Sequence, residues 1–149
     1  MITDVFELRP RYGEVDQMGY VYHANYVTYC HQARNELLRK LGVDEIELEN
    51  NQIILPVISF EINYMKPAHF DELISIKTII KELPKVRFAF EFEVSNAQNI
   101  MLCKAKSTVV FVNNQSRLPK AIPDDVKKIL EAKFKTQIDT EIHLVNPRT

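Results

Sequence analysis

Between Ala24 and Leu41 apolar side chains recur at helical spacing, and no other helical stretch of this 149-residue chain is as long and as apolar. Tyr26, Tyr29, Cys30, Ala33, Leu37, Leu38 and Leu41 fall on one stripe, with Gln32, Asn35, Arg39 and Lys40 facing away. Gly42, directly after Leu41, is a natural helix C-cap. A helix with so wide an apolar stripe has to be covered by another layer, and the rest of the chain must supply it.

The supply is a set of strands. Residues Val5 to Val15 alternate loosely and predict a first strand. After a short acidic stretch, Asp44 to Asn51, four longer strands are expected: Ile53 to Met65, Leu73 to Ile80, Val86 to Val94 and Ile100 to Val112. In the second, Ile74, Ile76, Thr78 and Ile80 share a face; in the third, Val86, Phe88, Phe90, Phe92 and Val94 alternate with Arg87, Ala89, Glu91 and Glu93. Period two over such lengths means strands packed on one face and polar on the other. Pro67 to Asp71, Leu83-Pro84-Lys85 and Asn96 to Asn99 carry turn signals, and connections this short predict antiparallel neighbours. Pro123-Asp124-Asp125 opens a last helix expected to end near Phe134. The expected architecture is one α+β domain over residues 1–149, with a long antiparallel sheet wrapped around a central helix. Its core spans about 5–134, and a weakly structured tail covers 135–149.

Charge and cysteine usage narrow the function classes. A net charge of −1 with dispersed Lys and Arg argues against nucleic-acid binding and against a polybasic membrane anchor. The start, Met1 to Glu7, has no basic stretch leading into an apolar run, so no signal peptide is expected, and apolar runs such as Ile53-Ile54-Leu55 are too short for membrane insertion. Cys30 and Cys103 lack metal-type spacing and sit inside apolar patterns, as buried free thiols do. A cytoplasmic location fits these features.

Chemistry concentrates between Arg11 and Tyr26, where a strand should hand over to the long helix. Asp16 is followed by Gly19, which permits a tight turn. The helix begins near His23 or Ala24, and its first N–H groups lack intrahelical acceptors and carry the positive end of the helix dipole. A carboxylate and an open helix N-terminus within one loop suit acyl transfer: one attacks or deprotonates, the other holds an oxyanion. Local physics alone leaves another reading open, in which Asp16 is an Asx cap, His23 a surface histidine and the tyrosines ordinary core.

The run Asp16-x-x-Gly19-x-Val21-Tyr22-His23-Ala24-Asn25-Tyr26, followed by Ala33-Arg34 and Glu36-Leu37-Leu38, resembles the 4-hydroxybenzoyl-CoA thioesterase family of hotdog proteins. It looks most like the bacterial acyl-CoA thioesterase branch associated with the Tol–Pal envelope system. Tyr64-x-x-Pro67-Ala68 matches a second motif, and the resemblance covers about residues 5 to 120. It implies a sheet wrapped around a helix and homodimers joined edge to edge, often paired again into homotetramers. It also implies acyl-CoA bound at the subunit interface, with no metal and no redox cofactor. By position, Asp16 matches the catalytic aspartate, as nucleophile or as general base. The backbone N–H of His23 matches the donor to the thioester carbonyl oxygen, and the Tyr12 and His23 side chains match assisting groups. Gly19, Tyr20, Val21, Tyr22, Asn25, Tyr26 and Pro67 are expected around the substrate.

Departures from the pattern matter as well. His31 stands where relatives usually carry a glutamate, Tyr20 replaces a small aliphatic residue beside the loop, and Pro84-Lys85 replaces a turn that often holds glycine. Lys85, Arg87, Lys104 and Lys106 are candidate phosphate contacts for the CoA, or solvated cations. The expected reaction is hydrolysis of a small or medium acyl-CoA to the free acid and CoA. The alternatives are acyl carrier protein as the thioester carrier, or a non-catalytic acyl-CoA-binding or scaffold protein.

Overall fold

The computed structural model describes the backbone of residues 1–145 and side chains through residue 137. Strand β1 (Ile2–Leu8) opens the chain. It stops short of the expected Val15 because Pro10 has no N–H for a ladder, and Tyr12–Glu14 close into a 3₁₀ turn. Helix α1 (Asn25–Leu41) follows, and Gly42 ends it at φ 88°, its N–H returning to Arg39 O. The stripe read from the sequence is the buried one, Tyr26, Tyr29, Cys30, Ala33, Leu37 and Leu38, joined by Arg34. The acidic stretch holds a second helix, α2 (Glu45–Asn50), capped by Asp44, whose carboxylate accepts from the Ile46 N–H at 2.9 Å, and anchored by buried Leu48.

The expected strand from Ile53 to Met65 is divided into β2 (Ile53–Ile54) and β3 (Val57–Tyr64) by Pro56, which cannot donate to a ladder. Strands β4 (Ile74–Ile80), β5 (Arg87–Asn96) and β6 (Met101–Val110) follow, and β7 (Val112–Asn113) pairs with β2 in a separate ribbon. The main sheet is antiparallel in the order β1-β4-β5-β6-β3. The two later turns do join antiparallel neighbours. The turn at 67–71 does not: β3 pairs with β6, and β4 with β1 and β5. The link from β3 to β4 therefore crosses the end of the sheet, passing the start of α1.

The inward face carries Ile74, Ile76 and Ile80 from β4, then Phe88, Phe90, Phe92 and Val94 from β5, all buried. Helix α1 packs on β4 and β1. Among the described residues two strand edges stay open, β1 and β3. On and just beyond β3, Val57, Ile58, Tyr64 and Met65 are exposed. The last helix, α3 (Asp124–Val145), runs well past Phe134, because no Gly or Pro interrupts residues 135–145. The expected weak tail is thus helical through Val145, and its last four positions lie outside the described residues. No described helix is long and apolar enough to cross a membrane.

Candidate active site

The Asp16 loop is closed by its own backbone. Asp16 N–H donates to Tyr20 O at 2.8 Å, Gly19 N–H donates to Asp16 O at 3.0 Å, and Val15 bridges Val21 across the neck. Gly19 takes φ 79°, a left-handed conformation that costs a glycine little. Asp16 Oδ1 accepts from the Met18 N–H at 2.8 Å and the Tyr20 N–H at 3.2 Å, so one carboxylate oxygen is the Asx cap that local physics allowed. The other oxygen, Oδ2, has no partner among the described residues and belongs to a side chain that is only partly covered. The cap therefore commits one carboxylate oxygen and leaves the second uncommitted.

The helix start is left open in the same turn. Ala24 occupies the N-cap position and offers no side-chain acceptor. Asn25, Tyr26 and Val27 N–H groups turn back onto Tyr22, His23 and Ala24 carbonyls, while the N–H groups of His23 and Ala24 find no acceptor among the described residues. Tyr64, the last residue of β3, donates its hydroxyl to His23 O at 3.0 Å. The His23 ring is exposed, 4.5 Å from the Tyr22 ring and 6.3 Å from that of Tyr64.

The crossing link pins this turn from beneath. Val21 N–H donates to Ala68 O at 2.9 Å, Ala68 N–H donates to the buried Tyr26 hydroxyl oxygen at 3.1 Å, and Tyr20 bridges His69 with the two rings 5.3 Å apart. Pro67 precedes Ala68 on the same link. Gly19, Tyr20, Val21, Tyr22, Asn25, Tyr26 and Pro67 are therefore gathered around the Asp16 loop. The Tyr12 carbonyl accepts from the Val15 N–H at 3.5 Å, but its hydroxyl has no hydrogen bond among the described residues: 79% exposed, the ring rests edge-on against Phe70 at 5.7 Å. Lys85 and Arg87 lie at the far end of the sheet of the same protomer. Arg87 pairs with Val110, whereas Ile74 and Asn96 pair at the end that faces the loop.

Glu14 is the organiser that sequence reasoning missed. Its carbonyl accepts from the Tyr22 N–H at 2.9 Å and from Asn25 Nδ2 at 2.8 Å. Its carboxylate accepts from the Arg11 N–H at 2.7 Å and, across the core, from the Tyr29 hydroxyl at 2.9 Å. Burial pushes the Glu14 carboxyl up, but the hydrogen bonds from Arg11 and Tyr29 outweigh it and hold the group below its usual range. Burial, and then the Glu14 carboxylate, raise Tyr29, which keeps it a donor. The Arg11-x-x-Glu14 spacing is that of a capping box. Among the described residues no cluster of His, Cys, Asp or Glu is arranged to hold a metal ion.

The chain as a whole is similar to known proteins. Residues 10–130 match the thioesterase-like superfamily. The chain is 35% identical over 132 residues to the acyl-CoA thioesterase YbgC of Helicobacter pylori, covering 83% of this chain and 97% of that protein. It is 31% identical over 137 residues to the acyl-CoA thioester hydrolase YbgC of Escherichia coli, covering 91% and 99%. Among solved structures, a hypothetical protein of Thermus thermophilus superposes with a TM-score of 0.80 at 26% identity, covering 86% of this chain and 97% of that one. A DHNA-CoA thioesterase of Staphylococcus aureus superposes at 0.77 over 100% and 97%; at 23% identity that likeness speaks for the fold alone. With most of its length matched and an Asp loop closed onto an open helix start, this chain belongs to the thioesterase-like superfamily of hotdog proteins.

Proposed function

We propose that this chain hydrolyses a small or medium acyl-CoA to the free acid and CoA, with Asp16 as the reacting carboxylate. The observation that carries the reading is the coexistence, in one closed loop, of an Asp16 Oδ2 and two N–H groups at the start of α1 that have no partner among the described residues. A thioester carbonyl whose oxygen accepts from His23 or Ala24 N–H presents its carbon to this carboxylate. Asp16 then attacks the carbon, releasing CoA thiolate and leaving a mixed anhydride for water to open, or it takes a proton from the water that attacks. The exposed His23 imidazole and the Tyr12 hydroxyl are candidate assisting groups.

The working unit in this proposal is a two-fold dimer joined along β3, whether or not dimers pair again into tetramers. An open strand edge with exposed apolar side chains invites such pairing. Antiparallel joining reverses one β3 against the other, which brings the Lys85 and Arg87 end of one protomer toward the Asp16 end of its partner. Those two cations then become available to CoA phosphates. The whole chain acts as one domain, and two buried free thiols support a cytoplasmic location. Acyl carrier protein stays as an alternative carrier.

Asp16→Asn is the direct test. It keeps the cap geometry and removes the charge, so kcat should fall by roughly 10²–10⁴ with folding intact. A folded Asn variant with undiminished turnover would overturn the assignment.

A further inference from the structure

The Asp16 carboxylate takes its direction from Tyr20. Tyr20 N–H donates to Asp16 Oδ1 at 3.2 Å and Tyr20 O accepts from Asp16 N–H at 2.8 Å, so one residue holds both ends of Asp16. Any movement of the Tyr20 backbone therefore turns Oδ2 as well. Tyr20 is itself held from outside the loop, where it faces His69 in an antiparallel bridge. Among the described residues the backbone bond that fastens this stretch to the crossing link is Val21 N–H to Ala68 O at 2.9 Å, and none joins Tyr20 to His69. A pair without its own backbone bonds brings its side chains closest, and the two rings meet edge-on at 5.3 Å and 77°. Cross-strand aromatic contacts of this kind stabilise a ladder, so the ring pair is the second point of attachment.

His69 is braced in turn by Glu72. Glu72 N–H donates to His69 O at 3.2 Å, and Glu72 Oε2 stands 3.4 Å from His69 Nδ1, within ion-pair reach when the ring is protonated. The turn has a fixed base, because Asp71 N–H donates to Pro10 O at 3.0 Å and Arg9 Nη1 donates to Asp71 O at 2.6 Å.

The Glu72 carboxylate is poorly placed as a stability device. Its Oε1 is buried and finds no donor among the described residues, which costs free energy. The ion pair returns little, since the His69 side chain is 52% exposed. A local cost without a local return is what functional sites show, and here the other oxygen faces His69.

We propose that His69 and Glu72 are positioning residues for the Asp16 carboxylate. Glu72 fixes the His69 ring, the ring braces Tyr20, and the Tyr20 N–H sets Oδ1 and with it Oδ2. This rests on the reading of Asp16 as the reacting group. Neither residue touches substrate in this arrangement, so both act on turnover and not on binding.

The test follows hydrolysis of hexanoyl-CoA by release of the free thiol. In His69→Ala kcat should fall by about 5–20-fold with KM within about 2-fold, less than the roughly 10²-fold that an ångström of misplacement can cost. His69→Arg should return to within about 3-fold of wild type, because a guanidinium both stacks on an aromatic ring and pairs with a carboxylate. Glu72→Gln keeps the shape, loses the charge and should fall with His69→Ala. In a Tyr20→Leu background no ring is left to brace, and His69→Ala should cost less than about 2-fold. Melting followed by circular dichroism should place the His69 variants within about 4 °C of wild type, since an exposed pair contributes little to stability.

Undiminished kcat in His69→Ala, a loss expressed in KM, no recovery in His69→Arg, or full additivity with Tyr20→Leu would each overturn the positioning role. Truncating an exposed ring opens no core, so the His69 variants decide the matter even if Glu72→Gln fails to fold. No turnover of acetyl-, hexanoyl- or lauroyl-CoA by wild type would overturn the thioesterase reading, and the positioning role with it.

Discussion

Glu14→Ala tests whether the site is held together from its approach turn. The substitution removes two useful hydrogen bonds to a carboxylate, from the Tyr29 hydroxyl at 2.9 Å and from the Arg11 N–H at 2.7 Å. The Arg11 ion pair adds little, because that guanidinium side chain is 84% exposed. Hydrogen bonds to a charged group contribute about 1.5–3 kcal/mol each, the exposed Arg11 N–H less than the buried Tyr29 hydroxyl. The sum is about 2–4 kcal/mol for Glu14→Ala, or a fall in Tm of roughly 6–12 °C for a chain of this length. Glu14→Gln keeps an acceptor but loses the charge, and should cost about half as much.

Wild type also separates from both variants in its pH dependence. The folded Glu14 carboxyl titrates below its usual 4.5, so its contribution is complete above the unfolded value and is lost as pH falls through the folded one. The stability gap between wild type and Glu14→Gln should stay constant from neutral pH down to about 5, then close on further acidification. Urea unfolding followed by circular dichroism at several pH values, with m unchanged, measures both quantities. A Glu14→Ala cost below about 0.5 kcal/mol, or a gap that widens in acid, would refute the organising role.

Three further outcomes follow from the same geometry. His23→Ala should keep much of the activity, whereas His23→Pro, which deletes the N–H, should lower kcat by about 10²–10³ as loss of an oxyanion donor does; equal losses would point to the imidazole instead. Tyr64→Phe removes the hydroxyl bonded to His23 O and should lower kcat by about 3–10-fold with little change in KM, an effect smaller than losing a direct donor. In analytical ultracentrifugation at micromolar concentration the protein should sediment as a dimer or tetramer, and a clean 17.4 kDa monomer would contradict both the β3 pairing and the shared site.

The sequence made local elements legible wherever one period ran long enough to have one explanation. The alternation of Phe88, Phe90, Phe92 and Val94 and the stripe from Tyr26 to Leu38 are of this kind. It was mute on α2, whose six residues bury only Leu48 and so produce no measurable period. It was mute, too, on the partner of β3. Alternation specifies a face, not a neighbour, so the nearest strand in sequence was taken for the nearest in space. The tail was expected to be weakly structured, although residues 135–145 contain no helix breaker to end α3. Glu14 was missed because its acceptor role depends on Tyr29, which reads as plain core from its place in the helical stripe. Asp16 carried two meanings, cap and catalyst, and both prove compatible because a carboxylate has two oxygens and only Oδ1 is committed to the turn.

The strand order gives the proposed dimer seam a direct route to the proposed catalytic turn. Because β3 sits at the edge beyond β6, its link to β4 must pass the start of α1, and Ala68 on that link fixes Val21 and Tyr26 as it passes. The final residue of β3 then donates to His23 O. The His23 carbonyl and the Ala24 N–H belong to one planar peptide, so a bond that holds the oxygen also orients and polarises that N–H. Tyr64 thus reaches the proposed oxyanion site from the strand proposed to form the dimer seam. Any pairing that stiffens β3 also stiffens Tyr64 and, through it, the peptide that would receive the carbonyl oxygen. Dissociating the dimer should therefore weaken catalysis at the helix start, even before any partner residue is counted.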